Sequence, residues 1–214
     1  CSFRSPNFKL LDLTYDENQN FKLIRNLKNR FPNIKIELMI NESCIKGCPS
    51  RIAHMGEFDF CQYNCELLRQ KIGNLAFAFT KPTIYPWDIE YYSALGINNF
   101  KYVAYSPGGN KIPNNRADYK DILSLKTYLD FIENNNLDIP AFEFLFNAGF
   151  GFSKFIDKET GKQTNPIKLS QVKDFFPDIK YFIKHGAECH YKCGVECKYC
   201  FECAKKLESL FMNV

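Results

Sequence analysis

The sequence predicts an α/β protein built on a parallel sheet. Apolar runs short enough to be buried strands alternate about four times with segments of helical periodicity. This alternation favours parallel strands that are joined by crossover helices. Four such units are half of an eight-unit (β/α) barrel, which typically needs about 250 residues. For these 214 residues we expect a partial or complete (β/α) barrel-like parallel sheet, and a small doubly wound sheet is the alternative.

Strands and helices are bounded by local signals in the sequence. Pro32 ends the first helical pattern, Pro86 opens a later one, and Gly73 and Gly96 stand where helices end. Strands are expected over residues 9–13, 34–40, 75–79, 100–105 and 142–146. Helices are expected over residues 17–30, 61–71, 86–96 and 116–134.

The last third of the chain differs in character from the rest. Residues 153–170 are polar, and residues 171–214 combine short helical patterns with a dense group of cysteines. We expect a barrel-like domain over residues 1–152, either complete or the later half of a longer barrel. Residues 153–214 are expected to form a polar excursion and a Cys-rich, metal-binding C-terminal appendage.

Composition excludes several functional classes. Hydrophobic residues make up 45% and charged residues 24%, as in globular proteins. The net charge of +4 is dispersed, so we expect no nucleic-acid footprint. No apolar run reaches about 18 residues, which predicts no membrane span. No signal-peptide pattern begins the chain, and we expect a cytoplasmic location.

Ten cysteines are the most unusual feature of the composition. They could belong to the disulfide framework of a secreted protein or to metal sites of a reduced, intracellular one. Nine of them fall into two tight groups, Cys1 lies apart, and none lies between Cys65 and Cys189. Such clustering, in a chain with long α/β patterning, favours metal ligands over disulfides.

The first group lies just after the expected strand 34–40 and has the spacing C-x3-C-x12-C-x3-C. Two close pairs of thiolates allow four sulfurs to meet at one centre, as zinc and a [4Fe-4S] cluster both require. The predicted ligands are Cys44, Cys48, Cys61 and Cys65.

Other chemical side chains surround this group. Active sites of α/β folds lie at the carboxyl ends of the strands. We therefore expect catalytic roles, in substrate binding and proton transfer, for Glu42, Arg51 and His54. We expect cofactor binding by Asn41, Thr80 and Lys81. The alternative is a structural ion pair between Glu42 and Arg51 and a histidine that lies at the surface.

The second group has five cysteines within residues 189–203, which is a strong signal for a metal centre. A plausible ligand set is Cys193, Cys197, Cys200 and Cys203. The first three of these also match the C-x3-C-x2-C spacing of radical SAM enzymes. That motif normally precedes most of a barrel, whereas little of this chain follows it.

The segment Asn41-Glu42-x-Cys44-x3-Cys48-Pro49-x-Arg51-x2-His54 resembles the collagenase-like peptidase superfamily, which includes ubiquinone-hydroxylation accessory proteins. The stretch Lys81-Pro82-x3-Pro86-Trp87-Asp88 looks like the next unit of uncharacterised relatives, and the resemblance covers residues 9–105. It implies an α/β barrel and an oxygen-sensitive [4Fe-4S] cluster, with Cys44 and Cys48 on the matching motif as ligands. It implies no clear peptidase dyad, and the second cysteine group departs from the family pattern.

The sequence therefore predicts an iron–sulfur protein, and we expect an enzyme with redox or hydroxylation-type chemistry on a small-molecule or macromolecular substrate of unknown identity. An electron-donor protein is the expected partner. The first alternative is a zinc-binding structural or interaction protein without catalysis. The second alternative is an atypical radical SAM enzyme.

Overall fold

Three short parallel strands form the sheet at the centre of the fold, in the order β1–β2–β3. The computed structural model describes residues 9–40, 45–48, 67–101, 167–186 and 196–212. Leu11 pairs with Ile36, and Leu38 pairs with Phe100. The mixed α/β class and the parallel sheet are thereby confirmed. The strands are β1 (Leu10–Asp12), β2 (Lys35–Met39) and β3 (Asn99–Lys101).

The connection between β1 and β2 is the helix α1 (Phe21–Arg30). The predicted helix began four residues earlier, but Tyr15–Glu17 form a separate 3-10 turn. The reason is Asn20, whose side-chain Oδ1 accepts the backbone N–H of Leu23 at 3.1 Å and caps α1. Phe21 and Ile24 of α1 are buried against the sheet.

The expected strand over residues 75–79 is wrong, because this segment is the helix α2 (Asn74–Phe79). All five residues from Leu75 to Phe79 are buried, so the segment carries no polar face from which its period could be recognised. A short apolar run is compatible with either a buried strand or a buried helix. Two alanines in five residues favour the helix, since alanine has the highest helix propensity.

The segment after Pro86 is helical, as predicted. Pro86–Asp88 form a 3-10 turn that leads into the helix α3 (Ile89–Ser93). The turn after α3 contains Gly96 with a positive φ of 77°. Helical structure is also described over residues 67–72, which is the described part of the helix expected over 61–71.

The C-terminal part of the chain is mainly helical. The helices are α4 (Leu169–Val172), α5 (Ile179–His185) and α6 (Tyr199–Met212), with a 3-10 turn at Lys173–Phe175 between α4 and α5. This agrees with the short helices expected after residue 171, although α6 is the longest described helix. No helix within the described ranges is long and apolar enough to cross a membrane.

Two hydrophobic cores hold these elements together. The sheet core lies between one face of the sheet and the helices α1, α3 and α5, and includes Ile24, Leu38, Tyr92, Phe100 and Phe182. The helical core is formed around α2 and α6, and includes Leu75, Phe79, Leu169, Phe176 and Leu207.

Helices from the C-terminal segment therefore complete both cores. Ile179 and Phe182 pack into the sheet core, and Gly186 lies directly against the backbone of Gln19, where a Cβ would collide with the Gln19 carbonyl oxygen. The predicted boundary at residue 152 falls outside the described residues and stays a prediction.

The described sheet is open and has three strands. The expected strand over 142–146 and the expected helix over 116–134 lie outside the described residues. Residues 102–105 of the strand expected over 100–105 also lie outside them. Closure into a barrel is therefore not shown, and the described fold is a small α/β unit with a parallel sheet.

Candidate functional site

The segments that follow β1 and β2 meet at the carboxyl edge of the sheet. Asn18 is fully buried there, and its Nδ2 donates to the carbonyl oxygens of Met39 at 2.5 Å and Pro82 at 2.9 Å. The backbone N–H of Ile84 donates to the carbonyl of Ile40 at 3.0 Å. The segment 80–85 is thus fixed beside the end of β2, at the edge where α/β folds place their sites.

Further buried hydrogen bonds stiffen this edge. The hydroxyls of Tyr15 and Thr83 lie 3.1 Å apart, and the hydroxyl of Tyr92 donates to the Asn18 carbonyl at 2.9 Å. The Oδ1 atom of Asn18 is buried and has no hydrogen-bond partner in the described part of the chain. Asn18 was not recognised from the sequence, where an asparagine before a helix indicates only a turn or a cap.

The loop that carries Cys48 is fastened to this edge through its backbone. The N–H of Gly47 donates to Oδ1 of Asp16 at 2.9 Å, and the N–H of Lys46 donates to the carbonyl of Thr80 at 3.3 Å. Gly47 has a φ of 68°, a conformation that glycine adopts at little cost. The backbone before Cys48 is therefore held next to the segments after β1 and α2, and the Cys48 side chain is half-buried. Its role as a ligand stays a prediction.

Thr80 and Lys81 lie at the same edge. The half-buried Thr80 donates its hydroxyl to the carbonyl of Phe77 at 2.6 Å and so caps the end of α2. Lys81 is only 6% exposed, and its Nζ lies 5.3 Å from the centre of the Phe77 ring, within the range of an amine–aromatic contact. Thr80 thus has a local structural role, and Lys81 places a buried amino group at the edge.

Several predicted site residues lie outside the described residues. They are the predicted catalytic residues Glu42, Arg51 and His54, the predicted cofactor-binding Asn41, and the predicted ligands Cys44, Cys61, Cys65 and Cys193. Their roles stay predictions.

The three described cysteines of the second group lie around the start of α6. Cys197 precedes the helix, and Cys200 and Cys203 are three residues apart, so they share a helix face. That face points inward, because Cys200 borders both cores and Cys203 borders the helical core. Cys48, Cys197 and Cys203 are thiols and not parts of disulfides.

Two tyrosines adjoin these thiols, and the sequence analysis did not identify either. The hydroxyl of Tyr181 lies 3.4 Å from Sγ of Cys197, and the ring of Tyr199 stacks on that of Tyr181 with the ring centroids 3.8 Å apart. Burial raises the pKa of the Cys203 thiol, and the nearby Tyr199 side chain and Lys206 charge oppose that rise. Burial also raises the pKa of Tyr199 to about 12, so its hydroxyl keeps its proton at neutral pH.

Asp88 carries a buried carboxyl group. The sequence predicts only an acidic residue near the positive end of a helix dipole at this position. It is 7% exposed at the end of the 3-10 turn. Burial and, to a lesser extent, the charge of Asp178 raise the pKa of Asp88 to about 8, against a hydrogen bond with the Tyr85 backbone that lowers it. At neutral pH the carboxyl is therefore mostly protonated. The flanking aromatic residues Tyr85 and Trp87 were the signal in the sequence that could have indicated its burial.

The described donors alone do not make a complete metal site. Within the described ranges, no three His, Cys, Asp or Glu side chains form a group that could hold a metal ion. Four of the eight predicted ligands are described, and all are thiols, the donor type that zinc and iron–sulfur clusters prefer. A four-sulfur centre would require the cysteines outside the described residues.

No family model, curated protein or solved structure matches this chain. The resemblance to the collagenase-like peptidases therefore stays a prediction that depends on the motif alone.

Proposed function

We propose that this chain is an iron–sulfur-binding α/β protein and an enzyme, related to the collagenase-like peptidases and built as a (β/α) barrel or part of one. The observation that carries the proposal is the position of Cys48. Backbone hydrogen bonds to Asp16 and Thr80 hold its loop at the carboxyl edge of the parallel sheet. A cysteine in this position, within a C-x3-C-x12-C-x3-C pattern, is suited to bind a cluster close to a substrate.

A [4Fe-4S] cluster would supply electron transfer or Lewis-acid polarisation of a substrate oxygen. In this proposal the ligands at the edge are Cys44, Cys48, Cys61 and Cys65, and Glu42, Arg51 and His54 act on the substrate. Lys81 contributes a buried amino group at the same edge. An electron-donor protein would then be the partner.

In this proposal the chain acts in the cytoplasm. The clustering of the cysteines supports this, because clustered cysteines in a chain with α/β patterning favour the metal sites of a reduced, intracellular protein over a disulfide framework.

The test is anaerobic purification of the whole chain, followed by iron and acid-labile sulfide analysis and a visible absorption spectrum. The proposal expects about four irons and as much sulfide per cluster, with broad cysteine-to-iron absorption. Cys48→Ser should lower the iron content, while Cys189→Ser, outside both proposed ligand sets, should not. A colourless protein that contains zinc and no sulfide would overturn the proposal.

The second candidate is a zinc protein in which the metal only stabilises the fold. The packing of Cys200 and Cys203 favours it for the C-terminal group, because these residues border the hydrophobic core and leave little room for a substrate. A structural zinc site has four protein ligands and keeps no open position for a substrate. Zinc in the purified chain, together with unfolding by a chelator, would support this candidate.

A radical SAM enzyme is the remaining alternative, since Cys193, Cys197 and Cys200 have the required spacing. Binding of SAM to the reduced, iron-loaded chain, with reductive cleavage of SAM, would support it. An iron-loaded chain that neither binds nor cleaves SAM under reducing conditions would count against it.

A further inference from the structure

The helices α1 and α5 carry basic residues and no acidic ones. α1 has four basic residues, which are Lys22, Arg25, Lys28 and Arg30. α5 adds Lys180 and Lys184, and its last residue is His185. The two helices therefore concentrate positive charge in a chain that is nearly balanced overall, with 28 lysines and arginines against 24 aspartates and glutamates.

The fold places these two helices on the same face of the sheet. Phe21 and Ile24 of α1 and Phe182 of α5 pack into one core. The end of α5 lies against the start of α1, since a Cβ built on Gly186 would lie 3.7 Å from the Cα of Asn20. Charges that are far apart in the sequence thus belong to neighbouring helices.

Five of these cations are exposed and make up the basic surface, which consists of Lys22, Arg25, Arg30, Lys180 and Lys184. In the described part of the chain, none of the five forms an ion pair with a carboxylate. The carboxylates that precede the two helices are bonded locally. Glu17 accepts a hydrogen bond from Asn20 Nδ2 at 2.7 Å, and Asp178 accepts one from the backbone N–H of Lys180 at 2.8 Å.

The apolar sides of both helices are covered by the sheet. Phe21 and Ile24 of α1 are at most 1% exposed, and Ile179 and Phe182 of α5 are 4% exposed. A helix that binds a membrane surface inserts an apolar face beside its basic one. Because both apolar faces are buried in the core, a lipid bilayer does not fit the basic surface.

Large apolar side chains are also missing from the basic surface. The exposed large hydrophobic residues in the described ranges are Leu10, Leu67 and Tyr91, and none of them lies on α1 or α5. Protein–protein interfaces are centred on apolar and aromatic anchors. The exposed residues between the cations of α1 are instead Asn26 and Asn29, and lysine, arginine and asparagine are common donors to phosphate oxygens.

The aromatic residues of the two helices do not suit a single strand. Binding of single strands depends on aromatic rings on which bases stack. Phe21 and Phe182 are buried, and the half-buried ring of Tyr181 already stacks on Tyr199, with 3.8 Å between the ring centroids. A duplex exposes its phosphates and needs no stacking partner.

We propose that the basic surface binds the phosphate backbone of a nucleic-acid duplex without sequence preference. The sequence alone predicts no nucleic-acid footprint, because its lysines and arginines are dispersed along the chain. The fold changes this, since it joins the charges of residues 22–30 to those of residues 180–184. The inference is independent of the proposed iron–sulfur function.

The test titrates the purified whole chain into a fluorescently labelled DNA duplex of about 20 base pairs and follows the fluorescence anisotropy at several salt concentrations. The expected dissociation constant at physiological salt is about 10⁻⁶–10⁻⁴ M. Because five cations are available, the logarithm of the binding constant should fall against the logarithm of the salt concentration with a slope no steeper than about −5. A duplex of different sequence should bind equally well.

Charge-removing variants locate the binding surface on each helix. One double variant combines Lys22→Gln with Arg25→Gln, and the other combines Lys180→Gln with Lys184→Gln. Each should reduce the magnitude of the salt slope by about 2 and weaken binding by about 2- to 20-fold.

A matched control separates this surface from the net charge of the chain. Lys71→Gln with Lys206→Gln removes two exposed lysines that lie on other helices and should bind the duplex like the wild type. Lys180→Arg with Lys184→Arg keeps both charges and should also bind like the wild type.

Several results would overturn the inference. They are the absence of duplex binding at low salt, and equal losses in the control and in the two double variants. Tighter binding to the single strand of the same sequence would also overturn it. Tighter binding to vesicles that contain anionic lipid would assign the surface to a membrane, and displacement of the duplex by polyglutamate at a lower concentration of charge would assign it to an acidic protein.

Discussion

The backbone N–H of Gly47 donates to Oδ1 of Asp16 at 2.9 Å, so a residue from the turn after β1 holds the loop that carries Cys48. The Asp16 carboxylate thereby fixes the backbone one residue before Cys48.

Asp16→Ala should loosen this loop and expose Cys48. A single hydrogen bond contributes about 0.5–1.5 kcal/mol, so the alkylation rate of Cys48 should rise by about 2- to 10-fold. Mass spectrometry of the alkylated chain measures that rate. Asp16→Asn keeps an acceptor oxygen and serves as the control, with a rate close to that of the wild type. An unchanged rate in Asp16→Ala would show that other contacts hold the loop.

Asp88 should make the stability of the chain depend on pH. Its pKa in the folded chain is about 8, whereas an aspartate in the unfolded chain has a pKa of about 3.9. Between these values the folded chain holds more protons than the unfolded chain. The free energy of unfolding must therefore fall as pH rises through this window and level off above pH 8.

Asp88→Asn should remove that slope, because an amide does not ionise. At pH 7 the variant should be more stable than the wild type by on the order of 1–4 kcal/mol. Urea unfolding at several pH values between about 5 and 8 measures the difference. Asp174→Asn, at an exposed aspartate, is the control and should keep the wild-type slope. Parallel slopes in Asp88→Asn and the wild type would contradict the raised pKa.

Leu207→Ala tests whether α6 is an integral part of the fold. Leu207 is fully buried in the helical core, so its truncation should lower the free energy of unfolding by about 2–5 kcal/mol. Leu10→Ala, at a strand residue that is 45% exposed, should change it by about 0.5 kcal/mol or less. Chemical denaturation followed by circular dichroism measures both. A small effect of Leu207→Ala would show that the C-terminal helix contributes little to the stability of the core.

Asn18→Leu should destabilise the carboxyl edge of the sheet. The variant keeps a similar volume but leaves the carbonyls of Met39 and Pro82 without the donor that Asn18 supplies. Each unsatisfied buried group costs about 1–3 kcal/mol, so the expected loss is about 2–5 kcal/mol. Asn20→Ala removes the cap of α1 and the partly buried hydrogen bond from Asn20 Nδ2 to Glu17 Oε2, and it should cost less, about 0.5–2 kcal/mol. Urea unfolding measures both variants. If Asn18→Leu and Asn20→Ala lower the free energy of unfolding equally, the hydrogen bonds of Asn18 are not the stronger restraint.

The first half of the fold follows from local patterns in the sequence, and the exceptions have physical causes. The strand at 35–39 alternates buried and half-exposed residues, and Phe21 and Ile24 recur at helical spacing, so both elements could be predicted. The helix α2 could not, because burial on every side removes the polar positions that reveal a period.

The candidate site was predictable only where it depends on topology. Cys48 follows a strand of a parallel sheet, and this alone places it at the carboxyl edge. The contacts of Tyr181 with Tyr199 and Cys197 depend on how α5 and α6 pack. The burial of Asp88 depends likewise on tertiary packing, which no local pattern records.

The contribution of Ile179 and Phe182 to the sheet core has a consequence for synthesis on the ribosome. Both residues emerge long after Phe100, the last residue that the described strands add to that core. At a translation rate of about 5–20 residues per second, roughly 4–16 s separate the synthesis of Phe100 from that of the last helix that the described residues place against the sheet. Before that time the described part of the sheet core is incomplete, and the close fit of Gly186 against Gln19 can form only after it.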